Sequence, residues 1–399
     1  MHGPGPLAGL KIIELAHIMA GPICGRMLAD MGADVIKVER VPHGDAARGF
    51  VPPTIDGESA AFMMMNRNKR GIAVNLKMPE GRQIVRRLLT DADVVIENYR
   101  KGTMQRLGLG YESLRAENPG LIYCEISGFG RTGPYADQGG FDLVAQGYSG
   151  LMSITGEGPG RPPVKCGPPI TDITAGLLAA MGVLAAYVER QNTGKGQRVD
   201  TSLLEAGITQ TFWQSAIALA TGESPAPLGS AHPLNAPYEA FETADGWLTL
   251  GAASEDTWRR VPEVLGLPGL LDDPRFTLNR DRITHRAELA AELGAAFKQK
   301  PTADWLERLA AAGVPAGPVL SITEMLAHPQ TRARDMVVTT AHSRLGEVPT
   351  LGLPVKFSAT PGSIRSGAPM LGEHTREVLA ELGYIEAEVD RLLAAGVLR

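Results

Sequence analysis

Asp172 stands where a loop rich in Gly and Pro, TGEGPGRPPVKCGPP at residues 155–169, gives way to a long apolar run. That loop cannot continue a regular element, so it delivers Asp172 to the first turn of a helix expected over residues 172–190. In the simplest case an aspartate there is only a helix cap. The same place also suits chemistry. A helix N-terminus favours the carboxylate anion and stabilises negative charge nearby. Its free N–H groups can hold the oxyanion of a tetrahedral intermediate, and a carboxylate so placed can act as a covalent nucleophile.

Positive charge suited to phosphates gathers in VVIENYRKGTMQRLGLG at residues 94–110, through Arg100, Lys101 and Arg106. The stretch follows an expected strand end, where open α/β sheets bind ligands. Arg40 also follows a strand end, and NRNKRG at residues 66–71 is a further basic cluster. Each of these reads equally as solvated surface charge. His17 is a single histidine after the first strand, a packing residue unless a partner activates it. No H-E-x-x-H or other metal spacing occurs, and GYSG at residues 147–150 is not a G-x-S-x-G elbow.

The elements that must position these residues alternate. Strands are expected at residues 10–15, 33–39, 72–76, 92–96, 121–127 and 198–200. Helices are expected from Gly21-Pro22, over 79–90, over 111–117 and over 172–190, with Gly32 suited to a left-handed cap. Ser202 and Glu205 have capping-box spacing. This alternation predicts a Rossmann-like parallel sheet covered on both faces. No G-x-G-x-x-G follows the first strand, so a dinucleotide is not implied. GESPAPLGSAHPLNAP is a linker by composition. Beyond it a hairpin is expected at residues 240–243 and 247–251 around Ala-Asp-Gly. Helices follow to about residue 312, then a β-like stretch at 351–357 and a final amphipathic helix.

The 399 residues are 44% hydrophobic and 21% charged, an ordinary globular composition with room for two domains. The net charge of −5 leaves no basic excess for nucleic acid. Three cysteines without a CxxC pair fit a reducing cytoplasm. The opening MHGPGPLAGLKIIEL lacks a charged region followed by a long apolar run, so no signal peptide is expected. The apolar stretch 173–188 is short and mixed, and a buried helix is expected rather than a membrane span.

Seven blocks in order resemble the class III CoA-transferases: LAHIMAGP, MGADVIKVER, NRNKRGIAVNLK, VIENYRKGTMQRLGLGYESL, ISGFGRTGPY, TDITAG and TGKGQRVDTSLLEA. The resemblance spans the chain and is densest before residue 210. It implies a large Rossmann-like domain from residues 1–220 and 325–399, a linker at 221–237 and a smaller α+β domain at 238–324. It implies a cytoplasmic homodimer whose subunits interlock like chain links. It also implies no tightly bound cofactor, with a coenzyme A thioester and a carboxylic acid as substrates. Asp172 falls on the family's nucleophile, which passes through an aspartyl anhydride and an aspartyl-CoA thioester. CoA-contacting positions fall on Ala20, Arg40, Val74, Lys77, Asn98, Tyr99, Arg100 and Arg106, and Asp142 on an acidic position kept near the active site.

The same family holds α-methylacyl-CoA racemases, whose histidine in a G-H-D motif falls on Phe141 in Gly140-Phe141-Asp142, and whose glutamate falls on Ser254. Phe cannot exchange a proton, so both departures turn the reading away from racemisation. General similarity leans to short dicarboxylates with succinyl-CoA as donor. An acyl-CoA racemase and a non-catalytic acyl-CoA-binding protein stand as the alternatives.

Overall fold

Six short strands form one parallel sheet in the computed structural model, which describes residues 5–399. The first four residues of the opening run lie outside the described residues. The strands are β1 (Lys11–Glu14), β2 (Asp34–Glu39), β3 (Lys69–Ala73), β4 (Val94–Glu97), β5 (Ile122–Ser127) and β6 (Arg198–Ser202). Their order is β3-β2-β1-β4-β5-β6, the arrangement of doubly wound nucleotide-binding folds. Successive side chains point to opposite faces. Ile12, Val94, Ile96, Ile122 and Cys124 pack on one side against Cys24, Leu28, Ala175, Ala179 and Val183. Ile13, Ile36, Val38, Val95 and Tyr123 pack on the other against Ile84, Val85 and Leu88, joined by Val378, Leu379, Val389 and Leu392 from the chain's end. Burial on both faces is why these strands read as nearly continuous apolar runs.

The helices that bear on the site are α1 (Ala20–Asp30), α2 (Pro79–Thr90), α3 (Tyr111–Glu117), α4 (Asp142–Tyr148), α5 (Ile170–Thr193) and α6 (Leu203–Gln210). Gly32 closes α1 at φ 107°, a conformation its missing Cβ permits. Ser202 Oγ accepts from Glu205 N–H at 3.1 Å and starts α6. By length and composition α5 could cross a membrane, yet its Ala175, Gly176, Ala179, Ala180 and Val183 are buried, as in a core helix of this layer.

Two expectations shift. The third strand begins at Lys69 rather than Ile72, because Lys69 and Arg70 find carboxylate partners in Glu14 and Asp34. The β-like stretch at 351–357 ends at Leu351, closing a hairpin of Val337–His342 with Gly346–Leu351. Pro354 has no N–H to extend a ladder, and Arg67 donates to the carbonyl of Leu351.

Residues 1–150, 166–210 and 329–399 make one compact unit, and 151–165 with 211–328 a second. The second unit holds an antiparallel sheet of β7 (Tyr238–Glu242), β8 (Trp247–Gly251) and β9 (Ala316–Pro318), with β8 central. Helices cover a core around Phe241, Leu248, Trp258, Phe276, Phe297 and Trp305. Ser254 caps the helix Glu255–Leu265, accepting from Thr257 N–H at 3.1 Å.

Candidate active site

Crossovers from β1 and β4 leave in opposite directions, which opens a crevice at their C-terminal ends. A cavity of about 390 Å³ lies there, lined by the loop after β1, the loop after β4, the segment after β5 and Asp172. A smaller one of about 140 Å³ shares His17, Ile18 and Tyr99 with it and adds Arg40, Gly44 and Asp45.

The loop after β1 is held by Asn98 and Asp45. Asn98 Oδ1 accepts from His17 N–H at 3.0 Å and its Nδ2 donates to His17 O at 2.8 Å. Ile18 stands at φ 66°, an unfavourable place for a β-branched residue, and its N–H donates to Asp45 Oδ1 at 2.9 Å. Burial opposes the charge on Asp45, but Lys37 at 2.9 Å and the Ala47 and Ile18 N–H groups outweigh it and hold the carboxyl at about 2. Lys37 also reaches Glu14 at 3.0 Å, and Glu14 reaches Lys69 at 2.8 Å, all inside the protein. Sequence reading missed this chain of charges. Its only signal was a Glu and a Lys inside apolar strands, and their pairing needs the β1–β2 register, which sets Glu14 beside Lys37.

The loop after β4 is fixed in the same way. Tyr99 N–H donates to Glu97 Oε2 at 2.7 Å, and Arg131 donates to Tyr99 O at 3.0 Å and to Glu97 Oε1 at 2.7 Å. Burial pushes the Glu97 carboxyl upward, and nearby Glu125 adds to it. Tyr99 packs on His17 with ring centroids 5.3 Å apart. Burial lifts the Tyr99 hydroxyl to about 12 and lowers the His17 imidazole, so both are neutral at pH 7. Arg100 and Arg106 reach the larger cavity with exposed side chains, and Arg106 also donates to Thr103 Oγ1 at 2.9 Å.

Asp172 enters from the first turn of α5, but not as its cap. The helix starts two residues earlier than expected, because Ile173 N–H already bonds Pro169 O at 3.1 Å. The capping oxygen comes from Asp142 on α4, whose Oδ1 accepts from Thr171 N–H at 3.0 Å and Thr171 Oγ1 at 2.8 Å. Gln146 Nε2 fills Asp142 Oδ2 at 2.7 Å. Asp142 thus stands behind the cavity wall, and Asp172 is left to face the cavity.

The expectation that a helix end simply favours the anion also needs correction. Burial, reinforced by the charge of Asp142, raises the Asp172 carboxyl to about 6. The offsetting influence comes from the Ala20 N–H, at the first residue of α1, so the helical end that faces this carboxylate belongs to another helix. At pH 7 the anion predominates, and its raised basicity suits attack on a carbonyl carbon.

Of the residues carried over from the resemblance, Ala20, Asn98, Tyr99, Arg100, Arg106 and Asp172 meet at the larger cavity and Arg40 at the smaller. Val74 and Lys77 line neither. The Val74 side chain is wholly buried in the core, and Lys77 is exposed in the turn before α2. Phe141 lines the cavity at 69% exposure, where a racemase would need its histidine. Among the described residues no group of three His, Cys, Asp or Glu side chains is gathered as a metal site would require.

The family model described as CoA-transferase family III matches residues 7–375. This chain belongs to CoA-transferase family III. As a CoA-transferase it is 43% identical over 387 residues to the succinate–glutarate CoA-transferase of Agrobacterium fabrum, covering 96% of each chain. It is 38% identical to the succinyl-CoA–D-citramalate CoA-transferase of Chloroflexus aurantiacus, over 99% of this chain and 98% of that one. A CaiB/BaiF family protein from Brucella suis, solved as a crystal structure, is 42% identical, with a TM-score of 0.84 over 95% of this chain and 100% of that one.

Proposed function

We propose that this CoA-transferase works through Asp172 as a covalent nucleophile. The carboxylate attacks the thioester carbonyl of the donor, and the tetrahedral adduct collapses by expelling CoA as a thiolate, which leaves a mixed anhydride of the donor acid and Asp172. The thiolate then attacks the aspartyl carbonyl, releasing the donor acid and leaving CoA on Asp172. The acceptor carboxylate attacks this thioester, expelling the thiolate and forming a second anhydride. Attack of the thiolate on the acceptor's acyl carbon gives the new acyl-CoA and frees Asp172. The observation that carries the reading is a half-buried carboxylate of raised basicity opening onto the cavity at the sheet's switch point. Burial also limits water, which would hydrolyse the anhydride.

Arg40, Arg100 and Arg106 supply charge for the CoA phosphates along the two cavities. The binding surface falls in residues 1–220 with 325–399, and the smaller domain, 238–324, follows the 221–237 linker. The names of the relatives favour succinyl-CoA as donor and a short dicarboxylate as acceptor. An interlocked homodimer in the cytoplasm completes the proposal. Leu177, Met181 and Val188 on α5 are 44%, 62% and 62% exposed, an apolar strip that a monomer would leave in water.

Incubation with succinyl-CoA should leave CoA on the peptide spanning Asp172, read by mass spectrometry, and hydroxylamine should trap the same residue. Asp172→Asn should fold and lose transfer by orders of magnitude. Near-native transfer by that variant, or an adduct on another carboxylate, would end the proposal. Light scattering on dilution should show a dimer and no folded monomer.

A further inference from the structure

Ala20 meets α5 twice, once through its N–H at Asp172 and once through its carbonyl at Gly176. Gly176 lies four residues after Asp172, on the same face of α5. A Cβ built there would stand 2.7 Å from Ala20 O and 2.8 Å from Ile23 Cβ and Cγ2. Neither neighbour can yield cheaply. One is backbone in the first turn of α1, and the other is the branched root of a stiff side chain.

We propose that Gly176 is a positioning residue for the transfer reaction: having no side chain, it sets the α1–α5 spacing at which the Ala20 N–H meets the Asp172 carboxylate. This rests on the reading of Asp172 as nucleophile. The remaining seats of α5 are consistent with a placement fixed from several sides. Asp142 holds Thr171 from α4, and Gly207 of α6 lets Thr171 and Ser149 approach, since a Cβ there would stand 2.4 Å from Ser149 Oγ and 3.2 Å from Thr171 Cγ2. A displacement of α5 along the α1 contact therefore moves Asp172 while the arginine-lined part of the cavity stays in place. Alanine is the better helix former, so Gly176→Ala would strengthen α5 if the contact were loose.

The test compares Gly176→Ala with Gly182→Ala. Gly182 sits on the other side of the same helix and meets a side chain, Val199 Cγ1, at 2.7 Å from its built Cβ. Gly176→Ala should lower kcat roughly 10- to 100-fold, the scale for a reacting group misplaced by about an ångström. Its affinity for CoA, by calorimetry, should stay within about twofold, as the phosphate contacts are untouched. The acid limb of its kcat/KM profile should move to higher pH, because the influence that lowers the Asp172 carboxyl is weakened. Gly182→Ala should leave that limb where it is. If Gly176→Ala fails to fold, Ile23→Gly/Gly176→Ala removes both clashes with residue 23 and keeps the carbonyl clash, and the same shifts should appear. Native kcat with an unmoved limb would overturn the inference, as would Gly182→Ala matching Gly176→Ala in both. Absence of any adduct on Asp172 in the native protein would instead strike the nucleophile reading.

Discussion

Asp142 holds Thr171 by two hydrogen bonds to one carboxylate oxygen, at 3.0 Å to the backbone N–H and 2.8 Å to Oγ1. The next residue is Asp172, so the same carboxylate fixes the start of α5 and places a negative charge near the proposed nucleophile. The two effects separate by substitution. Asn at 142 keeps an oxygen for Thr171 and loses the charge. Its amide would face the Gln146 amide that now donates to Asp142, at a cost of about 1–2 kcal/mol.

The charge has a definite sign. In the proposed mechanism Asp172 reacts as the anion, so activity should fall as pH drops through its value of about 6. Removing the Asp142 charge removes one of the two influences that raise it. In Asp142→Asn the acid limb of kcat/KM, which reports the free enzyme, should therefore move to lower pH. A limb that stays in place or moves up would refute the electrostatic role.

Among the described residues no carboxylate pairs with Arg100 or Arg106 at the cavity, whereas Arg131 in the same wall is bound to Glu97 and Glu125. Arg100→Ala and Arg106→Ala should each weaken CoA binding by roughly tenfold or more, from charge-assisted contacts of about 1.5–3 kcal/mol. Melting temperature should hardly move. Raised salt should weaken native binding and shrink the difference between native and variant. Unchanged affinity in both variants, by calorimetry, would remove them from the site.

Much of this was legible because it is local. Strand periodicity, the Gly/Pro loop and the apolar helix behind it placed Asp172, and the order of the strand ends placed Arg100 and Arg106. The resemblance brought Ala20 and Asn98, whose physical roles only the structure gives: an N–H aimed at a carboxylate, and an amide that clasps His17. What the residues could not disclose is pairing at long range. NRNKRG reads as a basic surface cluster, yet Asn66, Arg67, Asn68 and Lys69 are buried, because Asp30 and Glu14 arrive from elsewhere to neutralise them. The Val74 side chain packs in the core with the C-terminal helices, a placement that only long-range packing reveals.

The raised carboxyl at 172 also has a cost in stability, and its sign can be worked out. A group protonated more readily in the folded state than in the unfolded one stabilises below its unfolded value, near 3.8, and loses that contribution as pH rises through about 6. Asn at 172 is neutral at every pH and carries no such dependence. Asp172→Asn should therefore melt higher than the native protein at pH 8, and the gap should narrow as pH falls below 6. A gap that is constant between pH 5 and 8 would mean the site does not strain the anion.

Asp30 and Arg67 form a further tightly paired site, remote from the chemistry. Their side chains are 2% and 1% exposed and meet through two contacts, at 3.0 and 2.7 Å. Asn68 Nδ2 adds a bond to Asp30 at 2.8 Å, while its Oδ1 accepts from Arg365 and Ser366 N–H. The cluster thus ties the end of α1 to the chain's C-terminal stretch, whose backbone Arg67 also holds at Leu351. Arg67→Ala should destabilise by about 3–5 kcal/mol, because it leaves Asp30 buried without its main partner. Arg26, 3.9 Å away, is too distant to replace it. Asp30→Ala/Arg67→Ala should cost less than the sum of the single variants, since neither member of the pair is left without the other. Amide exchange at residues 365 and 366 should quicken in Arg67→Ala before global unfolding. Denaturant titration of the three variants decides the matter: a single-variant loss below about 1 kcal/mol, or strict additivity, would show that the pair is incidental to stability.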